Sequence, residues 1–151
     1  MSVFRSLCLA SGLALLAACH DQTTSTTQEP TAPTPTGPQC YAHISATDTV
    51  RLTLQITPLT VTGQLTYNYF EKDRNQGTIS GTMHGDTLLA DYTFQSEGTT
   101  SVRQVAFLRR DIGFIEGFGP VTERQGKTVF TQPHALQYDA KYTLLPVACP
   151  K

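Results

Sequence analysis

Two charged residues stand among aromatics in one stretch of the chain, and their spacing makes them the first candidates for chemistry. Ser101, Arg103, Val105 and Phe107 share one face of an extended segment, because side chains alternate from face to face along a strand. A tight turn at Asp111-Ile112 aligns that face with Phe114, Glu116 and Phe118. If this face points into a core, Arg103 and Glu116 form a polar cluster in an apolar interior, beside Phe107 and Tyr92. Burying either charge alone is costly, so the two would pair or meet a ligand. A mostly apolar pocket with a few convergent polar groups is the form small-molecule sites take. The opposite face, with Val102, Ala106, Leu108, Ile115 and Gly117, is apolar apart from Gln104. If that face is the inner one, Arg103 and Glu116 are an exposed cross-strand pair of little energetic weight. The sequence leaves both registers open.

Other chemistry is thinly represented. A carboxylate pair for hydrolysis, Asp91 with Glu97 or Glu116, requires a geometry that sequence does not supply. There is no G-x-S-x-G and no Ser, His and Asp arrangement. The expectation is a protein without catalytic residues, and a carboxylate-based hydrolase is the remote alternative. Outside the first 18 residues the histidines are His20, His43, His84 and His134, which lack metal-ligand spacing. Asp73-Arg74-Asn75-Gln76-Gly77 starts like a calcium loop but lacks the third acidic position and the distal Glu. It reads as a polar hairpin loop, and no metal or cofactor is expected.

The elements that must position these residues are strands. Val50, Leu52, Leu54 and Ile56 alternate with polar residues, as do Val61, Leu65, Tyr67 and Tyr69. Leu88, Ala90, Tyr92 and Phe94 form a third row, and Leu136, Tyr138, Ala140, Tyr142 and Leu144 a fourth; a short helix over 134–141 is the alternative there. This period of two argues half-buried strands. Gly85-Asp86 is a two-residue hairpin turn that pairs Met83 with Leu88, Gly81 with Ala90 and Ile79 with Tyr92, keeping all six on one face. Further turns fall at Thr57-Pro58, Lys72 to Gln76, Ser96 to Gly98, Asp111 to Gly113 and Glu123 to Gly126. The fold class is all-β. About eight antiparallel strands in local hairpins with one apolar face close most simply into an up-and-down barrel, which removes exposed edges. A β-sandwich is the alternative. Gly63, Gly81 and Gly117 fit bends or close approaches.

The chain is nearly neutral, at −1, and removing residues 1–18 takes away Arg5 and no acid, giving −2. That argues against nucleic acid as a partner. Thr, present 24 times, is β-branched and polar and suits strands with one wet face. Residues 20–39 are rich in Thr, Pro and Gln and cannot bury enough apolar surface to order themselves. They read as a tether stiffened by proline. Cys40 and Cys149 bracket the remaining domain, and in an oxidising compartment they are expected to form a disulfide.

At the N-terminus, Arg5 precedes an apolar run from Leu7 to Leu16, too short to span a bilayer, and Leu16-Ala17-Ala18-Cys19 follows. This combination resembles the lipobox of bacterial lipoproteins. The resemblance implies that residues 1–18 are removed and Cys19 is acylated, anchoring the chain to a membrane with ~0.8 kcal/mol per buried methylene. His20 rather than Asp follows Cys19, which by the same resemblance implies the outer membrane, facing the periplasm, with exposure at the cell surface as the alternative. The domains are then a signal peptide (1–18), a lipidated Cys with its tether (19–39) and a β-barrel (40–151). The segments Gly77 to Gly81, Gly85 to Leu88, Asp91 to Gly98 and Ser101 to Phe107 resemble small β-barrel lipoproteins of Bacteroidota with no assigned function. More loosely they are similar to lipocalin-like and avidin-like barrels, although the Gly-x-Trp signature of lipocalins is absent from a chain without Trp. These resemblances carry no catalytic residue. The expected function is a lipid-anchored envelope protein that binds a small apolar or amphipathic ligand, with Arg103, Glu116, Tyr92 and Phe107 at the site. A protein partner at the envelope, bound by a barrel with a filled core, is the alternative.

Overall fold

The computed structural model describes residues 37–72, 74–96 and 98–150. Residues 1–36, which hold the expected signal segment, Cys19 and most of the expected tether, lie outside the described residues, as do Asp73 and Glu97. Among the described residues the strands are β1 (Gln39–Ile44), β2 (Thr49–Ile56), β3 (Val61–Asn68), β4 (Asn75–His84) and β5 (Thr87–Ser96). They continue as β6 (Thr99–Arg110), β7 (Gly113–Phe118), β8 (Val121–Arg124), β9 (Lys127–Phe130) and β10 (Gln137–Pro146). A 3-10 turn at Pro133–Ala135 precedes β10, where the sequence allowed a longer helix.

Eight strands close an antiparallel barrel in the order β1-β2-β3-β4-β5-β6-β7-β10, with β10 returning to β1. Neighbours in the barrel are neighbours in sequence except where the β8–β9 hairpin intervenes. The protein is therefore an up-and-down barrel and not a sandwich. The β4–β5 hairpin has the expected register, with Met83 opposite Leu88, Gly81 opposite Ala90 and Ile79 opposite Tyr92. Gly85 holds φ at 60°, a conformation that costs a residue without Cβ nothing. At Gly81 the reason for glycine is space: a Cβ would fall 2.1 Å from the Leu89 carbonyl oxygen.

The inner face carries one core, including Leu52, Leu54, Val61, Leu65, Ile79, Leu88, Phe107 and Phe114. Each such side chain contributes ~1.5–3 kcal/mol through burial. A second, small cluster lies outside the wall, where Ala106 meets Phe130 and Leu136, with Leu89 and Tyr138 packed beside them. The β8–β9 hairpin supplies this cover, touching β6 through Arg103 opposite Thr128.

The seam between β1 and β10 is short, with Tyr41 opposite Pro146 and Ala42 opposite Leu145. The Cys40–Cys149 disulfide, with Cα atoms 5.2 Å apart, clips it. Beyond Ala42 the two strands part. β10 passes from Tyr138 opposite Gly117 to Thr143 opposite Ile115, so its intervening residues bulge out of the ladder. Local bonds hold the bulge: Lys141 N–H donates to Asp139 Oδ1 at 2.9 Å, and Thr143 Oγ1 donates to the Ala140 carbonyl at 2.6 Å. Such short-range polar bonds compete with sheet pairing. The expected alternation through Ala140 and Tyr142 breaks here, and both are exposed.

Candidate functional site

Strand register decides which residues meet inside. Phe107 stands opposite Glu116, and Arg103 opposite Tyr92. Phe107 and Tyr92 belong to the core, so Arg103 and Glu116 lie on the inner face with them. All four candidate residues are thus brought together in the barrel. The face with Ala106 and Ile115 points outward, yet both residues are buried.

Arg103 and Glu116 do not form a contact ion pair, contrary to the expected alternative of direct pairing. Glu116 is bonded instead by a residue from across the barrel: Tyr67 Oη donates to Glu116 Oε1 at 2.5 Å. The Arg103 guanidinium lies over the rings of Tyr67, Tyr92 and Phe94, at 4.9, 5.4 and 5.6 Å from their centroids. Cation–π attraction compensates part of its lost hydration. Its Nε and the Tyr92 hydroxyl are buried without a hydrogen-bond partner. Tyr67 also stacks on Tyr69, and Tyr92 on Phe94.

The electrostatics follow from this burial. Glu116 is only 7% exposed, and desolvation pushes its carboxyl up to about 7, against the opposing pull of the Tyr67 hydrogen bond and the Arg103 charge. Desolvation raises carboxyl groups in this way generally. Burial likewise pushes Tyr69 and Tyr92 up to about 12, and Tyr67 well above its ordinary range.

A cavity of about 460 Å³ opens above this cluster. Val50, Leu144, Tyr69 and Glu116 line its inner part, while His43, Asp48, Phe118, Lys141 and Tyr142 stand around it. It occupies the end of the barrel that carries the β1–β2, β3–β4 and β5–β6 turns, where β1 and β10 have separated. The chain enters β1 and leaves β10 at the opposite end. A second, smaller cavity of about 220 Å³ reaches Arg103 and Glu116 from the side, between β7 and the β8–β9 hairpin.

Other sequence candidates are dispersed. Asp91 is neighboured by core residues Ala90 and Tyr92, so it faces outward, where it pairs with Lys127. It is therefore on the opposite side of the wall from Glu116. Asn75 to Gly77 are strand residues of β4 rather than part of a loop. His84 on β4 bonds Thr82 and lies three strands from His43 on β1, while His134 lies in the 3-10 turn before β10. Among the described residues no group of three or more His, Cys, Asp or Glu is placed to hold a metal ion.

Sequence reasoning missed Tyr67 as the partner of Glu116, 49 residues away. It also missed the pocket-lining role of His43, Asp48 and Lys141. The available signal was the end of the β3 apolar row, where Leu65 gives way to Tyr67 and Tyr69. The change from aliphatic to hydroxyl-bearing rings marks the place where the interior becomes polar. Compared with protein-family models, curated proteins and solved structures, the chain matches none.

Proposed function

We propose that this protein is a lipid-anchored, non-catalytic binding protein of the bacterial cell envelope, which takes a small amphipathic ligand into the mouth of its barrel. The cavity carries the reading: its volume is in the range of small-molecule sites, and it joins apolar walls to one buried carboxylate. The lipobox-like segment ending at Cys19 supports anchoring, and the Cys40–Cys149 disulfide suits an oxidising compartment. Asp91 faces out, and the other carboxylate at the cavity, Asp48, stands in the β1–β2 turn and accepts from the Phe70 N–H, which argues for binding over hydrolysis.

Fluorescence of a neutral apolar dye, N-phenyl-1-naphthylamine, tests the site. Emission is expected to rise on mixing with the protein and to fall when Val50→Trp fills the cavity. Equal emission from both proteins would discard the mouth as the site. A protein partner is the second reading, favoured by the exposure of Ile44, Phe70, Phe118 and Tyr142 on strand ends and loops at the mouth. It predicts that dye binding is absent and that charge substitutions at these four positions abolish a complex.

A further inference from the structure

We infer that the mouth pocket takes an organic cation: an apolar body whose amine or quaternary ammonium nitrogen sits against Glu116. The inference deepens the binding reading and rests on it.

The carboxylate is under-coordinated. Oε1 accepts from Tyr67, no protein hydrogen bond to Oε2 is formed among the described residues, and Oε2 is not sealed off but opens to the cavities that the side chain borders. A buried charge is costly unless it is paired. A cationic nitrogen supplies the missing partner.

The surroundings suit such a nitrogen. Tyr69, Tyr142, His43 and Phe118 present rings to the same cavity, and ring faces attract ammonium groups. Arg103 is a cation already held in this way a short distance below, over Tyr67, Tyr92 and Phe94.

With Glu116 ionised, the formal charges that line the mouth sum to a negative value, and Arg103 lies beneath them, held over its aromatic rings. Asp48 and Glu116 line it against one formal cation, Lys141, which is exposed and already lies over the Tyr142 ring at 5.4 Å. An anionic head would meet two carboxylates, and a neutral hydroxyl could donate to Oε2 but would bring no charge to balance it.

Tyr67 on β3 and Arg103 on β6 act on Glu116 directly, and the other titratable groups around it are His43 on β1, Asp48 in the β1–β2 turn, Tyr69 just after β3, Tyr92 on β5, and Lys141 and Tyr142 on β10. Burial holds the free carboxyl near 7. A cation selects the charged form, so binding releases a proton and strengthens as pH rises through 7.

The test is calorimetry of the full chain with three probes that share one tail: octyltrimethylammonium, octanol and octanoate. At about pH 8 the ammonium probe is expected to bind about ten-fold tighter than octanoate, and at about pH 5.5 this preference should shrink several-fold. Glu116→Gln keeps an acceptor for Tyr67 and should lose the preference for the ammonium probe over octanoate at both pH values. Equal binding of all three, or tighter octanoate, would overturn the cation inference and leave amphiphile binding standing. Binding of none would overturn both.

Discussion

At the end of the barrel where the chain enters and leaves, the interior is filled by Leu54, Val61, Leu88, Phe107 and Phe114, all at most 1% exposed. At the other end the same alternation delivers Tyr67, Tyr92, Arg103 and Glu116, and above them a cavity of about 460 Å³. Both halves obey one strand period and share the same strands. They differ in what occupies the inward positions, and in whether β1 and β10 stay paired. The closed half spends its inward positions on packing. The mouth half places hydroxyls and charges there, and the bulge at 139–142 keeps the last strand from closing over them.

Five substitutions sharpen the contrast, beginning with the largest effect. Cys149→Ser frees the short β1–β10 seam and restores entropy to a loop spanning 109 residues. Unfolding in denaturant should show a loss of about 4–5 kcal/mol in the simple chain model, with a broad practical range of about 2–5. Phe107→Ala opens a hole in the filled half and should cost about 3–5 kcal/mol. Tyr69→Ala at the half-buried mouth should cost about 1 kcal/mol on the same melts while weakening probe binding. A larger loss at Tyr69 than at Phe107 would reverse the assignment of the two halves.

Glu116 comes next. Its folded-state carboxyl is raised from 4.5 to about 7, so the folded protein holds the proton more tightly than the unfolded chain. This contribution favours folding below about pH 4.5 and is lost as pH rises through about 7, by roughly 3 kcal/mol in all. Glu116→Gln should therefore match the wild type near pH 5 and exceed it by about 1–3 kcal/mol near pH 8. Parallel stability profiles for the two proteins would mean that the carboxyl is not desolvated. Tyr92→Phe has the smallest effect. Its hydroxyl has no partner, so removal should change stability by less than about 1 kcal/mol, in the stabilising direction. A loss above that would mean a bound water or ligand sits on the hydroxyl.

The contrast also shows what sequence could convey. The β4–β5 register was legible because Gly85-Asp86 fixes the turn and only one register keeps the apolar residues together. The inner face of β6 and β7 was not, because Ala106 and Ile115 on the outer face are buried too. For Ala106 the cover comes from Phe130 of the β8–β9 hairpin and from Leu136 after the 3-10 turn, elements whose placement depends on tertiary contacts. Arg103, Glu116, Tyr92 and Phe107 share the inner face, as one of the two registers open in the sequence has it, but only Glu116 of the four lines the mouth cavity, and its partner lies on β3 across the barrel. A barrel joins residues through its interior, and strand period contains no term for that distance. The mouth arises from a break in the pattern: Ala140 and Tyr142 continue the apolar row in sequence, while Asp139 and Thr143 pull the backbone out of the ladder.

The central claim is that Glu116 is a desolvated carboxyl at the base of a ligand pocket. Carbon NMR of its carboxyl group through a pH titration, with and without octyltrimethylammonium, tests this most directly. The account predicts a midpoint of about 7 in the free protein, moving down when the probe is added. A midpoint in the ordinary carboxylate range, unmoved by the probe, would contradict it.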